Sequence, residues 1–154
     1  MKLSPTISIR FVRVAAVFLL LAMTSAHAIA SDMKVEAQLI WGTNDETSPD
    51  PSHKPVEGDV LKKLKKLPFK WKNYFEVTRR EFVVSKNGSS AVVLSKDCEI
   101  KVRNPKDDTL EVELIGKGKS VGTIAQALPR GELLVTGGDA ENFTAWFVVL
   151  RQVE

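Results

Sequence analysis

Residues 61–77 read LKKLKKLPFKWKNYFEV, and this stretch contains six of the chain's lysines and four of its aromatic residues. Pro68 divides the stretch into two parts with different periodicities. Before the proline, apolar residues recur at spacings of about three and four, which predicts an amphipathic helix. After the proline, apolar and polar residues alternate, which predicts a β-strand. The stretch therefore predicts a fold in which one short helix leads into a series of strands.

The helix is expected over residues 56–67, with its lysine-rich part at 59–67. Acidic residues lie near its start and lysines near its end, which complements the helix dipole, and Pro68 ends it. Its narrow apolar face is formed by Val60, Leu61, Leu64 and Leu67. We expect this face to dock on a sheet, with the lysines along the rim and their charged ends in water. These lysines are candidate binding residues: Lys62, Lys63, Lys65 and Lys66.

The strand after Pro68 is expected over residues 69–77, with its odd-numbered aromatic residues facing the core. Tyr74 would then be the exposed ring, and we include it among the candidate binding residues as a contact for a flat ligand such as a sugar. The apolar positions change phase after residues 78–80, which predicts a bulge or bend near 78–81. Asn87-Gly88 predicts a hairpin that leads to a strand at 90–95.

The remaining chain reads as short alternating strands separated by turns, beginning with a strand at 34–42. The count is about seven or eight strands, and this spacing predicts an antiparallel β-sandwich or barrel with one short amphipathic helix after the first strand. Residues 31–154 are expected to form one mostly-β domain. Trp41, Trp71 and Trp146 are expected in its core.

Residues 1–30 have the pattern of a cleaved signal peptide, since a basic start is followed by an apolar run of about ten residues. Small residues then permit cleavage after Ala28 or Ala30. We therefore expect a secreted or periplasmic protein with no transmembrane segment in the mature chain. Removing residues 1–30 takes away three basic residues and leaves 19 Lys and Arg against 19 Asp and Glu. A mature chain without net charge gives no support to nucleic acid as a partner.

The loop at residues 43–56 is rich in proline and carries acidic residues and His53, the only histidine of the mature chain. A loop of this length is often functional, so Asp50 and His53 are candidate binding residues. The spacing of its carboxylates matches no familiar metal-binding pattern, and we expect neither a metal nor another cofactor. Cys98 is the only cysteine, which excludes a disulfide within the chain, and its inward position predicts a buried thiol.

The chain shows no nucleophile motif with a matching base, so we expect it not to be an enzyme. The favoured function is a non-catalytic binding or structural accessory protein, with a partner such as an envelope protein or an anionic surface. Two alternatives remain open. One is a secreted enzyme or inhibitor that uses the 43–56 loop. The other is a membrane-surface binder that uses the lysine-rich helix.

Overall fold

The computed structural model of the protein describes residues 32–153, so the expected signal peptide at 1–30 lies outside the described residues. Within this range the chain forms a single domain of nine strands and one helix. The strands are β1 Met33–Thr43, β2 Lys54–Pro55, β3 Asn73–Val84, β4 Ser89–Ser95, β5 Cys98–Lys106, β6 Thr109–Gly116, β7 Lys119–Ala127, β8 Leu134–Asp139 and β9 Ala145–Val153, and the helix, α1, is Gly58–Lys66.

The strands form two separate antiparallel sheets. Sheet A has the order β2-β3-β1-β9-β8, and sheet B has the order β4-β5-β6-β7. The described domain is therefore a sandwich and not a closed barrel, and the predicted mostly-β class with one short helix is confirmed. One strand was not predicted. The short strand β2 lies in the segment that was expected to be loop throughout, and its residues Lys54–Pro55 pair with Glu76 and Phe75 of β3.

The main core fills the space between the two sheets. It follows the alternation of the strands, since every second residue of β1 faces sheet B while the residues between them face the other way. Each fully buried aliphatic side chain contributes about 1.5–3 kcal/mol to folding. The sheets meet through Val35, Ala37, Leu39, Ile100, Val102, Val112, Leu114, Val148 and Leu150.

Helix α1 covers the opposite face of sheet A and creates a second, smaller core. Val60 and Leu64 of the helix are buried against Ile40, Phe147 and Val149 of the sheet. The expected docking of the apolar face on a sheet is thus confirmed, and the domain has three layers in the order helix, sheet A, sheet B. An acidic residue lies in the first turn of the helix and basic residues lie in the last turn, where their charges interact favourably with the helix dipole.

The expected bulge lies in β3, one residue before the range that we predicted. The β1–β3 ladder pairs Leu39 with Thr78 and then Ile40 with Glu76, so Val77 is the extra residue. One unpaired residue exchanges the faces of the strand. Both Val77 and Phe82 therefore reach the main core, although they are separated by an odd number of positions.

The expectation that Tyr74 is an exposed ring is wrong. Its side chain is only 4% exposed, because it lies on the helix side of β3 and packs against Phe147 at a centroid distance of 6.0 Å. Phe69 and Trp71 were expected in the same strand, but β3 begins only at Asn73. These two residues instead lie in the connection after α1 and cover the edge of the second core. Both faces of sheet A are covered, so alternation alone could not assign Tyr74 to solvent.

The Asn87-Gly88 turn is present, but the strands on either side of it do not form the expected hairpin. β3 belongs to sheet A and β4 to sheet B, where β4 pairs with β5. The backbone of Asn104 on β5 explains the difference, because it accepts from the Asn87 amide at 2.7 Å and donates to Gly88 at 3.2 Å. These two bonds hold the turn against sheet B.

Candidate functional site

A cleft of about 1010 Å³ lies at one end of the sandwich. At this end, turns of sheet B and residues of the sheet A strands β1 and β9 border the same opening. Five segments line the cleft: residues 39–49, the β4–β5 turn, the β6–β7 turn, the β8–β9 turn and the start of β9. Ligand pockets in proteins commonly measure about 300–1,000 Å³, so the cleft is large enough for a ligand of drug size.

Two tryptophans form the floor of this cleft. Trp41 of β1 and Trp146 of β9 are direct partners across the β1–β9 ladder, so their side chains project from the same face of sheet A. Trp41 also packs on Phe75, with ring centroids 6.0 Å apart, and lies 6.5 Å from His53. Both tryptophans are half-buried. Trp71 is half-buried as well. Trp146 packs against the main core and Trp71 against the second core, but Trp41 belongs to neither, so the expectation that the three tryptophans form the core is only partly confirmed.

Gly116 and Val121 lie on the side of the cleft formed by sheet B. A Cβ atom at Gly116 would lie 3.0 Å from Val121 Cγ2 and 3.9 Å from Trp146 Cζ2. The indole of Trp146 therefore lies near sheet B, at a distance that a Cβ atom at residue 116 would tolerate, whereas such an atom would crowd Val121. Val121 is the extra residue of a bulge in β7, since Leu114 pairs with Gly122 and Ile115 pairs with Ser120. Its side chain is half-exposed at the mouth of the cleft.

Charged side chains surround the mouth of the cleft, and most of them are acidic. The lining contains one ammonium group, that of Lys117, and four carboxylates, those of Asp45, Asp97, Asp139 and Glu141. Lys117 Nζ lies 3.5 Å from Glu141 Oε1, but both side chains are largely exposed, so this ion pair contributes little. Within residues 32–153, no group of three or more His, Cys, Asp or Glu side chains converges as a metal site.

Cys98 lies in the wall of the cleft and is 7% exposed, as its inward position predicted. Burial raises the pKa of its thiol from 9.0 to about 11. The thiol form is therefore strongly favoured at neutral pH, and a neutral thiol is a poor nucleophile. Cys98 serves the cleft as a small apolar surface.

The loop that was expected to be functional borders the cleft through Asp45 and Pro49. Its two predicted site residues lie together, since His53 Nε2 is 3.6 Å from Asp50 Oδ2. His53 Nδ1 is also 2.7 Å from the hydroxyl of Ser48. Hydrogen bonds from the side chain and backbone of Ser52 lower the pKa of the exposed Asp50 carboxyl. The loop is thus folded around His53, which packs beside Trp41.

The predicted lysines lie away from the cleft, on the helix that covers the other face of sheet A. Lys62, Lys65 and Lys66 are exposed, and Lys63 is half-buried. The apolar face of α1 is occupied by sheet A, so a contact with an anionic surface would depend on the lysines alone. No helix within residues 32–153 is long and apolar enough to cross a bilayer. Among the same residues, no ion pair joins a lysine of α1 to a carboxylate of the 43–56 loop.

The β8–β9 turn has an unusual backbone where it borders the cleft. Asn142 and Phe143 both adopt a φ of 58°, a left-handed conformation that is strained for a residue such as phenylalanine. The ring of Phe143 is 88% exposed. The backbone carbonyl of Phe143 holds the turn in place, because it accepts a hydrogen bond of 2.8 Å from Trp71 Nε1. Strain of this kind is concentrated at binding and active sites, where surrounding contacts maintain it.

The structure therefore separates the residues that the sequence suggested. Asp50 and His53 lie beside the cleft, and the lysines lie on α1. The side chain of Tyr74 is buried between α1 and sheet A. The pairing of Trp41 with Trp146 was not predicted from the sequence. Alternate turns of an antiparallel meander lie at the same end of a sheet, and this signal could have predicted that the carboxylates in such turns lie close together. No family model matches the chain, and no curated protein and no solved structure shows a significant similarity to it.

Proposed function

We propose that this chain is an exported, non-catalytic binding protein and that the cleft over Trp41 and Trp146 is its ligand site. The observation that carries the proposal is the cleft itself, which is lined by two neighbouring, half-buried indoles at the end of the sandwich. Tryptophans are costly to expose, and they contribute strongly to recognition when a ligand covers them. The signal-peptide pattern of residues 1–30 supports export of the domain.

The surroundings of the cleft support binding more than chemistry. Burial favours the neutral form of the Cys98 thiol, and the carboxylates that line the cleft belong to exposed residues. The ladder between β1 and β9 places both indoles side by side on one face of sheet A. A rigid apolar floor that is formed before the ligand arrives reduces the entropy lost on binding.

The proposal can be tested with N-phenyl-1-naphthylamine, an uncharged dye that fluoresces in apolar sites. We expect the dye to bind the mature protein with one-to-one stoichiometry. The affinity should fall about tenfold or more when Trp41→Ser or Trp146→Ser removes one indole of the floor. The matched control is Val93→Ser, which removes an exposed apolar side chain of sheet B outside the cleft and should leave dye affinity unchanged.

Two outcomes would contradict the proposal. The first is that the mature protein does not enhance dye fluorescence at all. The second is that both tryptophan variants, shown by circular dichroism to be folded, bind the dye as tightly as the parent protein.

A second candidate function rests on the contact of 2.7 Å between the Ser48 hydroxyl and His53 Nδ1. A hydroxyl beside an imidazole is the arrangement of a nucleophile and its base, and Asp50 lies on the other side of the ring. The distance of 3.6 Å between Asp50 Oδ2 and His53 Nε2 is longer than an orienting hydrogen bond, which makes binding the better-supported function. Hydrolysis of p-nitrophenyl acetate that disappears in both Ser48→Ala and His53→Gln would favour the hydrolase.

A further inference from the structure

We infer that the ligand of the cleft is a small organic cation with an apolar body, an inference that rests on the function proposed above. The cleft and its indole floor make the site, and the charges around its mouth select the ligand. Four carboxylates and one ammonium give the lining a formal net charge of −3. The ammonium and the carboxylates are all exposed, so it is the excess of carboxylates that sets the sign of the potential at the opening.

The carboxylates come from different parts of the chain and face one opening. Asp45 follows β1, Asp97 lies between β4 and β5, and Asp139 and Glu141 lie at the β8–β9 turn. Charges of one sign around a concave mouth with apolar walls concentrate the electric field in the opening. A cation is therefore attracted to the cleft, and an anion is repelled from it.

The floor favours a cation that carries carbon rather than a bare ion. Indole faces attract cations, and the interaction strengthens when water is displaced. Trp41 and Trp146 are neighbours on one face of sheet A, and Leu39 and Cys98 add apolar surface beside them. Because the acidic groups of the described residues do not converge as a metal site, the arrangement suits a diffuse organic charge.

Most lysines of the chain's basic stretch lie away from the cleft, although Lys96 and Lys119 are exposed in or next to the turns that border it. The exposed lysines of α1 are on the layer that covers the other face of sheet A, so they do not neutralise the mouth of the cleft. Lys70 is placed over Trp71, with its Nζ 5.2 Å from the ring centroid, and this pair shows that an indole of this protein accepts a cation.

The test compares three decyl compounds that differ in the charge of their head group, each used below its critical micelle concentration. They are decyltrimethylammonium, the nearly isosteric uncharged dimethyldecylphosphine oxide, and decyl sulfate. Affinities are measured by calorimetry and by displacement of N-phenyl-1-naphthylamine. We expect the cation to bind about tenfold more tightly than the phosphine oxide and the sulfate to bind most weakly. The preference for the cation should decrease as ionic strength rises.

A charge variant and a matched control identify the source of that preference. Replacing the four carboxylates by amides (Asp45→Asn, Asp97→Asn, Asp139→Asn, Glu141→Gln) should bring the affinities of the cation and the phosphine oxide within about twofold of each other. The control, Asp107→Asn with Asp108→Asn, changes two exposed carboxylates in the β5–β6 turn, at the other end of the sandwich. It should retain the preference.

The outcomes separate this inference from the proposed function. Equal affinities for the cation and the phosphine oxide, with both compounds displacing the dye, would overturn the inference and leave the binding function intact. A preference for the cation that survives the four amide substitutions would also overturn the inference. If Trp41→Ser abolishes dye binding but not binding of the cation, the cation lies outside the cleft and the inference fails. If neither the dye nor any decyl compound binds, the proposed function fails as well.

Discussion

Trp41 and Trp146 stand directly opposite each other on β1 and β9, the two central strands of this part of sheet A, yet neither indole is closed over by sheet B. A few residues further along the same strands, Leu39 and Val148 lie fully within the main core. The difference arises because sheet B ends in turns at this level. The same two strands thus provide both the centre of the core and the floor of the cleft.

The contact between β8 and β9 beneath the cleft depends on Gly137. A Cβ atom at this position would lie 2.2 Å from the Trp146 carbonyl oxygen and 2.8 Å from Phe147 Cα, which are backbone atoms that cannot rotate away. We expect Gly137→Ala to lower the free energy of unfolding by about 3 kcal/mol, because the strands must separate. The neighbouring Gly138 has no heavy atom within 4 Å of its Cβ position.

Gly138→Ala is therefore the matched control, and it should change stability by less than about 0.5 kcal/mol. Denaturant unfolding of the two variants provides the measurement. Equal effects of the two substitutions would show that Gly137 is not in close contact with β9.

Glu36 is buried on the helix side of β1 and lies between two arginines. Its carboxylate is 3.3 Å from Arg79 and 2.8 Å from Arg151, and it accepts a hydrogen bond of 2.9 Å from Gln38. Burial opposes ionisation, but the Gln38 hydrogen bond and the two arginines outweigh it and lower the pKa of Glu36. We expect Glu36→Gln to cost about 1–3 kcal/mol, because the arginines lose their partner.

The pH dependence of stability gives an independent check on Glu36. Since its pKa is lower in the folded state, its contribution is present above the usual pKa of 4.5 and is lost as pH falls below it. The decrease in stability below this pH should be shallower in Glu36→Gln than in the parent protein. Parallel curves for the two proteins would contradict the assignment.

The Cys98 thiol provides a second pH signature at the alkaline end. Burial raises its pKa from 9.0 to about 11, so ionisation is easier in the unfolded chain. Its contribution to stability is present below pH 9.0 and is lost as pH rises towards about 11. Comparison with Cys98→Ala isolates this effect from the titration of other groups. If both proteins lose stability equally over this range, the thiol is not desolvated as the structure indicates.

Trp71 links the second core to the strained turn beside the cleft. Its ring lies 5.7 Å from that of Phe147, and its Nε1 donates to the Phe143 carbonyl at 2.8 Å. Because the ring is half-buried, we expect Trp71→Ala to cost about 2 kcal/mol, less than a fully buried tryptophan. Trp71→Phe keeps the packing and removes the hydrogen bond. It should weaken dye binding through the turn while leaving most of the stability, and unchanged dye affinity would contradict that role.

The sequence was sufficient for the features that depend on local patterns. The alternation in β1, the helical spacing of Val60 and Leu64, and the phase change near Val77 all predicted elements that are present. Tyr74 was misplaced because its strand is covered on both faces, and alternation cannot show which layer covers which face.

The cleft depends on contacts between distant parts of the chain, which local patterns do not record. Trp41 and Trp146 are more than one hundred positions apart, and only the ladder between β1 and β9 makes them neighbours. Whether sheet B covers them depends on where its turns fall along the sandwich. That relationship is set by the register of both sheets, which is visible only in the folded domain.

The most direct test of the cleft as a ligand site uses the three indole N–H signals of the protein's three tryptophans in a two-dimensional NMR spectrum. The mature protein is titrated with N-phenyl-1-naphthylamine. We expect the signals of Trp41 and Trp146 to shift together and to saturate at one equivalent of dye. The signal of Trp71, whose Nε1 is bonded to the Phe143 carbonyl, should move far less. Saturable shifts at Trp71 alone, or dye binding that leaves the signals of Trp41 and Trp146 unchanged, would show that the cleft is not the ligand site.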